Sequence, residues 1–114
     1  YEDYMIEHMF LHFSEMFDLN DLIHPSVKML LKHDQEKNTD FTETLFCYVR
    51  SKNDITAAAK AMNVHYNTMK YRINRITELT GVDFDDELTA FRLIISDKII
   101  ELMKPELEDV IEEK

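Results

Sequence analysis

The chain has 114 residues, 45% of them apolar and 32% charged, with one glycine, two prolines and a formal net charge of −10. That apolar share supports a folded core rather than a disordered chain. The single cysteine, Cys47, excludes an internal disulfide, and no apolar run is long enough to cross a membrane.

Scarce glycine and proline leave few hairpins, and abundant alanine, leucine, methionine, glutamate and lysine favour helix. The expected fold class is therefore all-α. A cytoplasmic, reducing setting fits the lone thiol. The chain starts at Tyr1 rather than methionine, which suggests a piece of a longer protein whose sensing part lies elsewhere.

Tyr1–Asp18 reads as a first helix. Ile6, Phe10, Phe13 and Phe17 form one apolar stripe, and Met5, Met9 and Met16 a second beside it. Either the protein's own core covers this wide face, or part of it meets a second copy or an upstream domain. His8 and His12 stand one helical turn apart, but zinc needs further ligands that the sequence does not place, so no metal or cofactor is expected.

Leu19, Leu22 and Ile23 suggest a short helical turn, ended by His24 and Pro25, with Pro25 opening the next helix. Ser26–His33 reads as helix with Val27, Leu30 and Leu31 inward, and Asp34–Asp40 as a polar loop. Thr39 or Asp40 is the expected cap of a helix carrying Phe41, Leu45, Phe46, Cys47, Tyr48 and Val49, with Glu43 completing a capping box. Lys52-Asn53-Asp54 ends it, and Thr56 is the expected cap of the next.

The central stretch is residues 54–81. Ala57–Met62 reads as a short helix, Asn63-Val64-His65 as a tight turn and Tyr66–Thr80 as a longer helix, closed by Gly81. Ala59 is small where a second helix must cross, and asparagine at 63 tolerates a left-handed turn. Met69, Ile73 and Ile76 recur at helical spacing and face inward. This is the spacing of a helix-turn-helix, with His65, Tyr66, Asn67, Lys70, Tyr71 and Asn74 on the outer face and Thr68 and Arg75 near its edges. A helix of this kind fits the major groove of DNA.

Beyond Gly81, Val82 and Phe84 should pack back. Asp83, Asp85, Asp86 and Glu87 suit a helix start. Leu88, Phe91, Ile94, Ile95, Ile99, Leu102 and Met103 then make an apolar helix up to Pro105. Glu106–Lys114 is acidic and reads as a short terminal helix, a dimer contact or a frayed tail.

The acidic net charge is unevenly placed. Residues 50–77 hold six bases (Arg50, Lys52, Lys60, Lys70, Arg72 and Arg75) and one acid, Asp54. Screening over about 8–10 Å at physiological salt lets such a face act locally. Tyr66, Asn67 and Lys70 are the expected base readers, with His65, Tyr71 and Asn74 nearby. Thr56, Thr68, Lys52 and Arg75 are the expected phosphate contacts. Arg72 is expected to pack its stem and pair with a carboxylate. No glycine-rich phosphate loop and no nucleophile-base setting is placed, so no catalytic residue is named and an enzyme is not expected. A protein-interaction module using the first helix and the acidic surface is the alternative.

The run from His24 to about Leu102 resembles the C-terminal DNA-binding domain of the PucR/CdaR family of bacterial transcriptional regulators. The resemblance rests on HPSVKMLLKHD (His24–Asp34), TDFTETLFCYV (Thr39–Val49), the NDITAAAKAMNVHYNTMKYRINRITELTG core (Asn53–Gly81) and VDFDDE (Val82–Glu87). Val64–Ile76 is its most specific piece. The resemblance implies an all-α output domain, double-stranded promoter DNA as ligand, action as a homodimer and an upstream metabolite-sensing domain. Residues 1–38 would be N-terminal helices, 39–81 the helix-turn-helix core and 82–114 a C-terminal helix with an acidic tail. Tyr66 stands where this family leads one to expect arginine; tyrosine offers a hydroxyl or a thymine-methyl contact in place of a guanine fork.

Overall fold

The computed structural model describes residues 2–16 and 18–113, with side-chain surroundings for 4–9, 11–16 and 18–102. Six helices follow in order: α1 Glu2–Met16, α2 Pro25–Lys37, α3 Phe41–Arg50, α4 Ile55–Met62, α5 Tyr66–Thr80 and α6 Glu87–Glu113. A single 3-10 turn, Leu19–Leu22, lies between α1 and α2. No strand occurs among the described residues, in keeping with the all-α expectation.

α3 is the central post, packed by α2, α4, α5 and α6. Its Leu45, Phe46 and Cys47 meet Val27 and Leu30 of α2, Ala58 and Ala59 of α4, Met69, Ile73 and Ile76 of α5, and Leu93 and Ile99 of α6 in one buried cluster. The Cys47 thiol sits 3.6 Å from the Ala58 carbonyl, as a core filler.

Local chemistry sets the helix ends. Pro25 occupies the first turn of α2, and His24 caps it by accepting the Ser26 N–H on Nδ1 at 3.1 Å. The His24 N–H donates to the Ser96 hydroxyl at 2.8 Å, and that hydroxyl donates to the Arg92 carbonyl, so the fully buried Ser96 is satisfied while joining α2 to α6. The Asp86 carboxylate accepts from the Thr89 N–H and hydroxyl at the start of α6, which holds it below its ordinary carboxylate range.

Several expectations are corrected. α2 continues through Gln35, Glu36 and Lys37, so the expected loop shrinks to Asn38–Asp40. Those residues are good helix formers, and Asn38 closes the helix in the left-handed region at φ 56°. Asp40 makes no side-chain cap on α3. Asp34 reaches across instead, accepting Phe41 N–H at 2.8 Å and Thr42 N–H at 2.9 Å, with the Thr39 hydroxyl as a third donor. Glu43 forms no capping box; it turns to Arg50.

α6 runs on past Pro105 to Glu113. The proline removes one donor, but strong helix formers on either side carry the helix across it. Its inward face is also rotated from the expected one: Leu93, Ser96 and Ile99 are buried, while Leu88, Phe91, Ile94 and Leu102 stand in solvent. The tie of Ser96 to His24 lies on that buried face, between Leu93 and Ile99. Met103 and the acidic tail lie outside the described side chains.

α1 makes only slight contact with the rest. Phe13 packs against the core, whereas Tyr4, Met5, Met9, Leu11 and Met16 remain exposed, so the core does not cover this helix. Phe10 and Phe17 lie outside the described side chains. His8 Nε2 is 2.9 Å from the Tyr4 hydroxyl, and among the described residues no three His, Cys, Asp or Glu side chains gather to hold a metal. Among the same residues no helix is long and apolar enough to cross a membrane.

Candidate nucleic-acid interface

α4 begins at Ile55, one residue before Thr56, and its cap is Asp54, whose carboxylate accepts the Ala57 N–H at 3.2 Å. Thr56 is therefore a first-turn residue, exposed, and not the cap. Aspartate preceding the alanine run was the available signal, since it caps as well as threonine or better. Ala58 and Ala59 are buried against α3 and α5; their methyl groups let the helices approach closely.

The turn follows from Asn63, which adopts φ 55° and ψ 47°. Its N–H bonds the Lys60 carbonyl at 3.1 Å and the Val64 N–H bonds Ala59 at 3.0 Å, which satisfies the open carbonyls of α4. Val64 packs against the core beneath the turn. His65 then caps α5, accepting the Asn67 N–H on Nδ1 at 3.2 Å. That role places the ring proton on Nε2, the nitrogen left to meet a ligand.

α5 spans Tyr66–Thr80, as the spacing predicts, with Met69, Ile73 and Ile76 buried and Gly81 closing it at φ 71°. Tyr66 at the helix start, and Asn67, Thr68, Lys70, Tyr71 and Asn74 away from the buried stripe, are all exposed. Tyr71, at 64% exposure, is more open than Tyr66 at 44%. The structure thus brings Asn67, Lys70, Tyr71 and Asn74 to one helical face, with His65 and Tyr66 at its N-terminal lip. Lys52 and Thr56 are exposed on the preceding loop and helix start. Arg75 is half-exposed and pairs with Glu78 at 3.4 Å, a surface contact weak enough to exchange for a phosphate.

Two arginines depart from expectation. Arg50 is withdrawn from the basic face: Asp97 takes its Nε and a terminal nitrogen, both at 2.8 Å, and Glu43 takes the other at 3.2 Å. These bonds raise its already high pKa further, against the opposing effect of partial burial. Arg72 is half-buried at the inner flank of α5 and forms no ion pair among the described residues, so the expected carboxylate partner is not found there. The local excess of positive charge then rests on Lys52, Lys60, Lys70, Arg72 and Arg75.

Residues 41–99, from the start of α3 into α6, match the PucR C-terminal helix-turn-helix domain. The chain is 32% identical over 94 residues to the carbohydrate diacid regulator of Escherichia coli (strain K12), covering 80% of this chain and 24% of that protein. It is 34% identical over 67 residues to the proline-responsive transcriptional activator PutR of Bacillus subtilis (strain 168), covering 59% and 16%. To the DNA-binding transcriptional activator AdeR of the same organism it is 26% identical over 74 residues, covering 65% and 18%. The chain thus spans 16–24% of the length of these curated relatives. No solved structure matches it. A match over more than half the chain, falling on the helices that build and back the turn, shows that the chain belongs to the PucR family as its C-terminal helix-turn-helix domain.

Proposed function

We propose that this domain, the DNA-binding output part of a PucR-family transcriptional regulator, reads duplex promoter DNA by laying α5 in the major groove N-terminus first. The observation that carries the reading is the exposed polar face of α5, backed by α4 across a left-handed Asn63 and free of acids from His65 to Thr77. An α-helix fits a groove about 12 Å wide, and the donor and acceptor groups there distinguish all four base pairs.

In this reading Asn67 offers the paired donor and acceptor that suit adenine, Lys70 suits guanine, and Tyr66 hydrogen-bonds or touches a thymine methyl. Tyr71 and Asn74 lie one turn further along the same face. His65 contributes through Nε2 alone, since Nδ1 holds the helix cap. Lys52, Thr56, Thr68 and Arg75 hold phosphates and fix register, and Arg72 joins them.

One reading helix gives modest affinity, so two copies on half-sites about one helical turn of DNA apart are part of the proposal. The remainder of the regulator, upstream of this domain, senses a small metabolite; the greater length of the relatives and the proline response named for one of them support that part. The site of action is the bacterial cytoplasm. The family match does not favour the alternative of a protein-interaction module.

Selection of bound sequences from random duplexes tests the reading and yields site, spacing and symmetry together. Against the selected duplex, Asn67→Ala and Lys70→Ala should each cost about 1–3 kcal/mol and relax one base position. Parental binding by both variants rejects the assignment of the base readers.

A further inference from the structure

We propose that the apolar groove between α1 and α6 seats α1 of a second copy of this chain, pairing two domains about a two-fold axis. This gives the surface for the dimer in the DNA-reading proposal and rests on that proposal for its purpose.

The groove has a volume of about 490 Å³. Ile6, Met9 and Phe13 line it from α1, Phe91, Ile94 and Ile95 from α6, and Leu22 from the 3-10 turn. Phe91 is 58% exposed and Ile94 50%. A second depression past Ile6 carries Leu102 among charged residues on its lining. These apolar side chains are grouped along one groove rather than scattered singly over the surface.

Three observations select a copy of the same chain as occupant. First, the chain carries both halves of a helix-in-groove contact. Besides the groove, α1 presents Tyr4, Met5, Leu11 and Met16 to solvent, an apolar rod that the core leaves uncovered. One reciprocal contact buries both. Second, the rim is mixed in charge, with Arg92 and Lys98 on α6 and Asp21 on the 3-10 turn, and with Glu7 and Glu101 at the far end. A two-fold contact sets a patch against itself, so it needs both signs; a rim of one sign would fit an oppositely charged stranger. Third, α6 packs chiefly on α3 and the 3-10 turn, whereas α5 packs on α2, α3 and α4. Pairing through α1 and α6 therefore leaves both reading faces open.

Sedimentation velocity of the chain over a micromolar concentration range tests this. A monomer–dimer equilibrium is expected. Met9→Glu and Phe91→Glu should each raise its dissociation constant at least about ten-fold with unchanged helical circular dichroism, because both side chains are exposed in the single copy. Met29→Glu, equally exposed on α2 and away from this groove, should leave it unchanged. A parent that stays monomeric at every concentration, or a dimer indifferent to both groove variants, overturns the inference. On DNA, the groove variants should keep parental affinity for a duplex with one selected half-site and lose cooperativity on one with two. A parent that dimerises with this variant pattern but binds no duplex would remove the DNA reading and uphold the interface.

Discussion

The Arg50 guanidinium at the end of α3 donates two hydrogen bonds of 2.8 Å to the two oxygens of Asp97 on α6. Glu43, from the first turn of α3, takes a third at 3.2 Å. Asp97 is largely shielded, its side chain 14% exposed, so the pair is screened less than an open surface bridge. It fixes α6 against the helix that supports the turn. Asp97→Asn should lower the urea midpoint by an amount equal to about 1–2 kcal/mol. Arg50→Lys should lose a similar amount, because an ammonium cannot make the two-pronged contact. An unchanged midpoint in both would show that packing alone holds α6.

The start of α3 holds a buried imbalance. The Thr42 hydroxyl is buried with no hydrogen-bond partner among the described residues, while the Thr42 N–H is served by Asp34. Thr42→Val keeps the shape and removes the orphan oxygen, so it should raise stability by about 1 kcal/mol. Asp34→Ala strips two N–H groups of their acceptor and should cost about 1–2 kcal/mol. Chemical denaturation of the pair checks the opposite signs; a destabilised Thr42→Val would mean that water or a shifted rotamer satisfies the hydroxyl.

The turn and its two helices were legible because each signal there is local. Alanine where helices cross, asparagine where φ turns positive and three apolar residues at helical spacing depend on near neighbours only. What could not be read depends on distant partners. Asp34 serves a helix start seven and eight residues on, and Arg50 meets Asp97 across 47 positions. In α6 the apolar residues flank the buried face as well as fill it; Ser96, buried between Leu93 and Ile99 and bonded to His24, carries no apolar signal. The candidate readers were legible as one outer face. The capping role of His65 was hidden by its place among polar residues that all suit a groove.

His24 gives stability a pH dependence. Burial lowers its pKa from the ordinary 6.5, and the nearby Arg92 charge lowers it further. Its Nδ1 accepts the Ser26 N–H, a role that the protonated ring loses. The unfolded chain therefore binds the proton more readily than the folded one. The stabilising contribution is complete above about pH 6.5 and is lost as pH falls through the lowered folded value. Thermal midpoints should decline as pH drops below 6.5. His24→Asn supplies a cap that does not titrate and should flatten that decline relative to the parent. Parallel pH profiles for the two proteins would assign the decline to other groups.

Lys52 separates the demands of folding from those of binding. It sits at φ 57° beside Asn53 at φ 63°, in the left-handed region where a side chain with a Cβ is strained by roughly 1–2 kcal/mol. Glycine relieves that strain at some cost in chain entropy, so Lys52→Gly should raise stability by about 0.5–1 kcal/mol. If the lysine holds a phosphate, the same change should weaken binding to every duplex alike and reduce the salt slope by about one. A stability gain with an affinity loss cannot come from a damaged fold, so the two measurements together isolate the charge. A Lys52→Gly protein with parental affinity and salt slope would place this loop away from the DNA backbone and leave register to Thr56, Thr68 and the arginines of α5.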